Sequence, residues 1–77
     1  MVYEISCFVW KPKTERYEQE LFGMKQFDNK EDAMAALNSV VLTEDIPEFN
    51  LYEFDNSGFG QKIATRFLYE GKECNEI

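Results

Sequence analysis

The sequence predicts an α+β fold, ββαββ, in which a four-stranded antiparallel sheet in the order 2-1-3-4 carries one helix packed on one face. Three observations predict it. Four segments are rich in β-branched and aromatic residues, and between the second and third of them the apolar spacing changes from two residues to about 3.6. The first segment is also apolar on both sides, as a strand in the middle of a covered sheet would be.

The size and composition indicate a single small domain over the whole chain, 1–77. Of the 77 residues, 44% are hydrophobic, which is enough apolar surface for a core of its own. This content separates the chain from disordered segments, which have too few apolar residues to offset the entropy lost on folding.

The first two strands are predicted before the change of spacing. Residues 2–10 are β-rich, and residues 11–15 form a polar turn that contains Pro12. Residues 16–27 predict a long second strand, in which Gly23 indicates a bulge.

The helix is predicted near residues 30–41. Asn29 is a suitable N-cap, and Asp32 lies at the third helical position, where a carboxylate also suits the positive end of the helix dipole. The apolar residues of this segment fall on one side at helical spacing: Ala33, Leu37, Val40 and Val41.

The second half of the chain predicts two further strands. Residues 43–48 form a loop, and residues 49–54 and 62–69 are strands three and four. Residues 71–77 are polar and are expected to be a loose C-terminal tail.

Connection rules order the predicted strands. The crossover through the helix should return strand three parallel to strand two, and therefore antiparallel to strand one. The order 2-1-3-4 keeps every neighbouring pair antiparallel and places strand one in the interior of the sheet.

The predicted helix can cover only one side of this sheet, because it is about 10 Å wide and four strands at about 4.8 Å spacing span nearly twice that width. Alternation assigns to the helix side Tyr3, Ile5, Cys7, Val9, Tyr17, Leu21, Phe27, Phe49, Leu51, Ile63 and Phe67. It assigns to the opposite side Phe8, Trp10, Phe22, Met24, Tyr52, Phe54 and Leu68, together with the polar residues Glu4, Ser6, Glu18, Glu20, Lys62 and Arg66. An uncovered side with several large apolar groups indicates a protein-interaction surface. The alternative is that sheet twist and the C-terminal tail cover part of it.

The charge of the chain argues against nucleic acid and membrane as partners. Fifteen Asp and Glu residues stand against eight Lys and Arg, for a net charge of −7, and binding to DNA, RNA or anionic lipid draws on clustered cations. The first residues lack the basic region of a signal peptide, and no apolar run approaches spanning length. Cys7 lies in an apolar stretch and Cys74 near the polar end, so we expect a reduced, cytoplasmic protein, with one link between the two cysteines left open.

No pattern in the sequence predicts catalysis, a metal site or a cofactor. The chain has no histidine, the commonest acid–base group and metal ligand near neutral pH. Neither cysteine has an evident activating partner. Glu18 and Glu20 are about 7 Å apart on one strand face, a spacing found between paired catalytic carboxylates, but on an exposed strand such pairs ordinarily serve solvation or protect a sheet edge.

The triplet Gly58-Phe59-Gly60 has several readings. An RNA-recognition strand would have a basic residue where Ser57 stands and an aromatic one in place of Gln61. A calcium loop beginning at Asp55 would need a glutamate in place of Arg66, and a dinucleotide loop would need a third glycine. The segment is therefore predicted to be a hairpin turn between strands three and four.

The sequence favours a small acidic, non-catalytic interaction module that forms a homo-oligomer, in the first place a dimer, or binds another protein. Contact would be made through the uncovered sheet side or a strand edge. The alternative is an acidic inhibitor of phage or mobile-element type, whose carboxylates imitate nucleic-acid phosphates and block a basic protein. A weaker third hypothesis is an enzyme or a binder of small apolar ligands between helix and sheet.

Overall fold

The structure is a computed structural model that describes residues 1–23 and 26–76. It is an α+β fold with one antiparallel sheet, in which the strands lie in the order β2-β1-β3-β4-β5. The elements are β1 (Val2–Lys11), β2 (Arg16–Leu21), α1 (Lys30–Ser39), β3 (Glu48–Phe54), β4 (Gly60–Tyr69) and β5 (Lys72–Glu76).

The fold class, the antiparallel pairing and the 2-1-3-4 order are confirmed, but the prediction of four strands is wrong. A fifth strand, β5, occupies most of the segment expected to be a loose tail and pairs with β4. The connection is a two-residue turn at Glu70 and Gly71, whose φ angles are 50° and 78°. Two consecutive positive φ values match the right-handed twist of the flanking strands, so the chain reverses tightly and continues the sheet.

The second strand is shorter than predicted. β2 ends at Leu21, and Gly23 has a φ of 74°. Phe27 then returns to β1, where it exchanges two backbone hydrogen bonds of 2.9 Å with Tyr3. The expected single long strand over 16–27 is therefore a strand followed by an isolated bridge.

The helix begins as predicted and ends two residues earlier. The Asn29 side chain accepts a hydrogen bond of 2.8 Å from the Asp32 backbone N–H, which confirms the N-cap. Val40 is the C-cap and is buried, whereas Val41 is 74% exposed and does not belong to the apolar side of the helix.

The core lies between α1 and the central strands β1 and β3. Ala33 and Leu37 of the helix are 0% and 2% exposed and meet the inward side chains of these two strands. The core cluster contains Tyr3, Ile5, Cys7, Ala33, Leu37, Val40, Phe49, Leu51 and Ala64. The two-sided apolar character of strand one correctly predicted its interior position in the sheet.

Arg66 of β4 caps the C-terminal end of the helix. Its Nη1 atom lies 3.0 Å from the Leu37 carbonyl oxygen, 3.1 Å from that of Asn38 and 3.0 Å from that of Val40. The Leu37 carbonyl also accepts a 3.4 Å hydrogen bond from the Val40 N–H. The last carbonyls of a helix lack the donors found in its interior, and the end of the helix carries partial negative charge. A cation at this position therefore satisfies them and holds the helix end against β4.

The same guanidinium also reaches the last strand. Its Nη2 atom forms an ion pair with Glu73, and its Nε donates to the Asn75 side-chain oxygen at 3.2 Å. The Arg66 side chain is 13% exposed. Arg66 thus connects α1, β4 and β5 through one planar group.

Leu37→Ala should destabilise the protein by about 2–5 kcal/mol, because it removes a buried side chain and leaves a cavity between helix and sheet. The measurement is urea unfolding followed by circular dichroism. Val41→Ala, on the exposed residue after the helix, is the control and should change the free energy of unfolding by less than about 0.5 kcal/mol. Equal losses in the two variants would contradict the packing described.

Arg66→Met should lower the free energy of unfolding by about 2–3 kcal/mol, because methionine keeps the apolar stem but removes the donors to the helix carbonyls. Lys62→Met is the matched control, since Lys62 also lies on β4 but its side chain has no ion-pair or hydrogen-bond partner among residues 1–23 and 26–76. A loss at Arg66 no larger than at Lys62 would show that the cap contributes nothing.

Candidate interaction surface

The side of the sheet opposite α1 is referred to as the open face. Neighbours paired across an antiparallel sheet share a face, so the strand register assigns the side chains. Since Ile5, Leu51 and Ala64 pack under the helix, the alternate residues lie on the open face. No helix or strand in the described ranges crosses this face. It carries Val2, Glu4, Ser6, Phe8, Trp10, Tyr17, Gln19, Leu21, Glu48, Asn50, Tyr52, Phe54, Lys62, Thr65, Phe67, Tyr69, Lys72, Cys74 and Glu76.

Part of the predicted interaction surface lies where the sequence placed it. Phe8, Trp10, Tyr52 and Phe54 are on the open face, and each is partly exposed. Their part in binding remains a prediction. Met24 lies outside the described residues.

On β4 the predicted faces are wrong after residue 63. A β-bulge between Leu51 and Tyr52 shifts the register, so that Leu51 pairs with Ala64 while Tyr52 pairs with Lys62. The alternation is therefore reversed beyond the bulge. Arg66 and Leu68, expected on the uncovered side, lie on the helix side, and Phe67, expected under the helix, lies on the open face.

On β2 the predicted faces are reversed along the whole strand. The hairpin pairs Trp10 with Tyr17, which brings Tyr17 and Leu21 to the open face. Glu18 and Glu20 are correspondingly on the helix side. A shift of one residue in register exchanges both faces, and the alternation within the strand does not reveal that shift.

Phe22 is also on the other side from the one predicted. Its backbone N–H donates to the Ile5 carbonyl at 2.8 Å, and its ring lies edge-on against Phe49, with centroids 5.1 Å apart. Phe49 is 2% exposed and belongs to the core. The Phe22 ring therefore covers the edge of the core and does not contribute to the open face.

The middle of the open face is a polar trough between aromatic walls. Ser6, Asn50 and Thr65 pair across three strands and are 4%, 1% and 8% exposed. The next row on one side is Phe8, Glu48 and Phe67, and the row on the other side is Glu4, Tyr52 and Lys62. The small residues of the trough are screened by these longer neighbours.

One end of the trough is a groove with a volume of about 350 Å³. Its walls are formed by Glu4, Leu21, Tyr52 and Phe54, and Ser6 lies at its base. The two aromatic rings of the wall are 6.4 Å apart and tilted by 38°. At the other end of the face, the Trp10 and Tyr17 rings meet edge-on with centroids 5.0 Å apart. Sequence reasoning missed Tyr17, Phe67 and Tyr69, because only the register places them on this face.

One buried polar atom on the open face lacks a hydrogen-bond partner among the described residues. The Asn50 amide nitrogen donates to Glu48 at 2.8 Å, but the Asn50 Oδ1 atom is buried and accepts no hydrogen bond from the described residues. Glu4 accepts a hydrogen bond of 3.0 Å from Gln26. A buried acceptor without a donor costs free energy.

The groups considered for catalysis are engaged elsewhere. Burial raises the pKa of the Cys7 thiol, which disfavours the nucleophilic thiolate. Glu20 forms an ion pair of 2.6 Å with Lys11, and Glu18 lies 3.5 Å from Arg16. The described residues contain no group of three or more acidic, cysteine or histidine side chains placed to hold a metal ion.

The segment around Gly58 is a turn between β3 and β4, as predicted. Asp55 Oδ1 accepts hydrogen bonds from the Ser57 backbone N–H at 2.9 Å, the Ser57 hydroxyl at 2.6 Å and the Phe59 N–H at 3.1 Å. Gly58 has a φ of 88°, and a Cβ on Gly60 would lie 2.4 Å from the Phe54 ring. The glycines therefore serve a left-handed turn and a close ring contact.

Ser57→Ala should raise the pKa of Asp55 toward its usual 3.8, because the hydrogen bonds to this carboxylate, above all from Ser57, lower its pKa. A carboxyl with a depressed folded pKa stabilises the fold above its unfolded pKa, and this contribution is lost as the pH falls through the folded pKa. Titration of the Asp55 carboxyl by NMR measures the shift. The Thr65→Ser variant, remote from the turn, should leave the Asp55 pKa unchanged, and an unchanged pKa in Ser57→Ala would contradict the assignment.

Comparison with known proteins assigns no function to the chain. No family model matches the sequence, and neither the curated proteins nor the solved structures gave a match. Among the described residues, no helix has the length and apolar character needed to cross a membrane.

Proposed function

We propose that the protein is a non-catalytic interaction module that associates with a second copy of itself through the open face. The observation that supports this most is the collection of aromatic side chains on a sheet face that no helix or strand of the described residues covers. Tyr69 is 63% exposed and Tyr17 is 47% exposed. Several large apolar groups exposed on one sheet face usually mark a contact surface.

The dimensions of the face suggest a weak dimer. Five strands at about 4.8 Å spacing, over about seven residues at 3.4 Å, give roughly 500–600 Å² per copy. Stable interfaces bury about 800 Å² on each partner. Burial of a large apolar side chain gains about 1.5–3 kcal/mol, against an association cost of at least about 4 kcal/mol. A dissociation constant in the micromolar range is therefore expected.

The chemistry of the face suits pairing with itself. It carries both acidic residues (Glu4, Glu48 and Glu76) and basic residues (Lys62 and Lys72), so a two-fold arrangement can bring opposite charges together. Such charges select the register more than they increase affinity.

The acidic-inhibitor hypothesis has less support. Phosphate mimicry requires free carboxylates gathered on one surface. Here Glu4, Glu48 and Glu76 lie on the open face, while Glu18, Glu20 and Glu73 lie on the helix side and each has a Lys or Arg partner.

Phe8→Lys should weaken self-association without unfolding the chain, because lysine removes an aromatic contact and lies opposite Glu48 on the neighbouring strand. Sedimentation equilibrium from 10 to about 500 μM protein should give a lower average mass for this variant than for the wild type, with a dissociation constant raised about tenfold or more. Tyr69→Lys, on the β4 side of the open face, should also weaken self-association.

Val41→Lys is the control, since Val41 is a highly exposed apolar residue outside the open face. Circular dichroism of all variants verifies that the fold is retained. A wild-type protein that is monomeric at every concentration would refute self-association. Equal association of Phe8→Lys and Val41→Lys would refute the open face as the contact.

A further inference from the structure

We propose that strand β5 pairs antiparallel with β5 of a second copy, about a two-fold axis at Cys74, and so joins two five-stranded sheets into one. This contact goes beyond the proposed function, because it uses a strand edge and does not depend on the open face. It rests on three observations: the free edge of β5, its charge pattern and the different character of the other edge.

The outer edge of β5 is available for pairing. β5 is the last strand of the sheet and pairs with β4 on its inner side. Of the backbone hydrogen bonds outside the strand pairs, none within the described ranges involves residues 72–76. The Cys74 Sγ atom lies 3.8 Å from the Lys72 carbonyl oxygen of its own strand. An edge with unpaired N–H and C=O groups is a template for another strand.

The sequence of β5, KECNE, is complementary to itself in one register. When Cys74 pairs with Cys74 of the second copy, Lys72 faces Glu76 of the second copy, and Glu76 faces Lys72 of the second copy. Glu73 then faces Asn75 of the second copy, a pairing without like charges. Opposite charges directly across an antiparallel pair are stabilising. The uncharged Cys74 lies on the axis, where any charged residue would meet its own copy.

The β2 edge differs in this respect. In the antiparallel register that brings Arg16 opposite Glu20 of a second copy, Glu18 faces Glu18, which is a like-charge pair on the axis. Both carboxylates also have partners within the chain, since Arg16 lies 3.5 Å from Glu18 and Lys11 lies 2.6 Å from Glu20. In this register the β2 edge places a like-charge pair on the axis, whereas the β5 register described above has none.

The geometry of this contact has a consequence for the open face. A two-fold axis through an edge pair stands perpendicular to the sheet, so both open faces point to the same side. The joined sheet of ten strands would place the two polar troughs, each with its aromatic walls, side by side on one face.

Charge reversal tests the register. Lys72→Glu and Glu76→Lys each replace two attractive pairs by two repulsive ones, and each should weaken edge pairing about tenfold. An equal mixture of the two variants should restore pairing, because the mixed dimer has an opposite charge at every contact. The double variant Lys72→Glu/Glu76→Lys should also pair as well as the wild type.

The readout is cross-linking of Cys74 by a short bismaleimide. Paired Cα atoms are about 4.5–5.5 Å apart in an antiparallel sheet, within reach of such a reagent. Cys74 is partly exposed and Cys7 is buried. Cross-linked dimer should form in the wild type and in Cys7→Ala but not in Cys74→Ser, and mass spectrometry should find the mixed species in the variant mixture.

Phe8→Lys separates this contact from association through the open face. If edge pairing is correct, the Cys74 cross-link persists in Phe8→Lys, is lost in Lys72→Glu and returns when Lys72→Glu is mixed with Glu76→Lys. A cross-link that disappears in Phe8→Lys and is unaffected by Lys72→Glu would place the thiols together through the open faces and overturn the edge contact. No Cys74 cross-link in the wild type would overturn it as well, while leaving the sedimentation test of the open face intact.

Discussion

The position of the helix depends on Arg66. The helix has only ten residues, and its contacts are with β1 and β3 at the centre of the sheet. An isolated helix of this length is unstable in water, so its persistence depends on packing and on its ends. Asn29 caps the first turn, and Arg66 supplies the donors and the positive charge at the last one. Since the same side chain binds Glu73 on β5, the helix end and the C-terminal hairpin are held together.

Arg66 can make these contacts only because of the bulge opposite Leu51 and Tyr52. Without the extra residue in β4, continued alternation from Lys62 would turn Arg66 away from the helix. The bulge thus has two effects on the same strand. It directs a cation toward the helix end, and it directs Phe67 and Tyr69 toward the open face, where they face water in the single chain. The bulge that lets Arg66 hold the helix end therefore also adds aromatic side chains to the open face.

Two exposed surfaces of the sheet are the open face, which lies opposite the core, and the outer edge of β5, which lies beside it. Among residues 1–23 and 26–76, the one ten-residue helix covers one face of the five-stranded sheet and no helix or strand covers the other, which carries a polar trough with aromatic walls. The last strand leaves an edge whose charges complement a second copy of itself. Both features support the proposed association between protein chains. The groups that catalysis would use are otherwise engaged, with Cys7 buried and Glu18 and Glu20 beside cations.

The sequence alone determined the α+β class, the interior position of β1, the N-cap at Asn29, the buried role of Leu37 and the turn after β3, because each depends on local propensity or on the spacing of neighbouring residues. Only the tertiary structure decided which way β2 and the second half of β4 face, and that β5 exists. The alternation of residues in a strand shows which side chains share a face, but it does not show which of the two faces lies under the helix. A hairpin register or a single bulge therefore reverses every side chain that follows. The Glu70-Gly71 reversal has weak turn chemistry in the sequence, and β5 forms because β4 offers it an edge to pair with. These non-local hydrogen bonds brought Tyr17, Phe67 and Tyr69 to the open face and removed Phe22 and Leu68 from it.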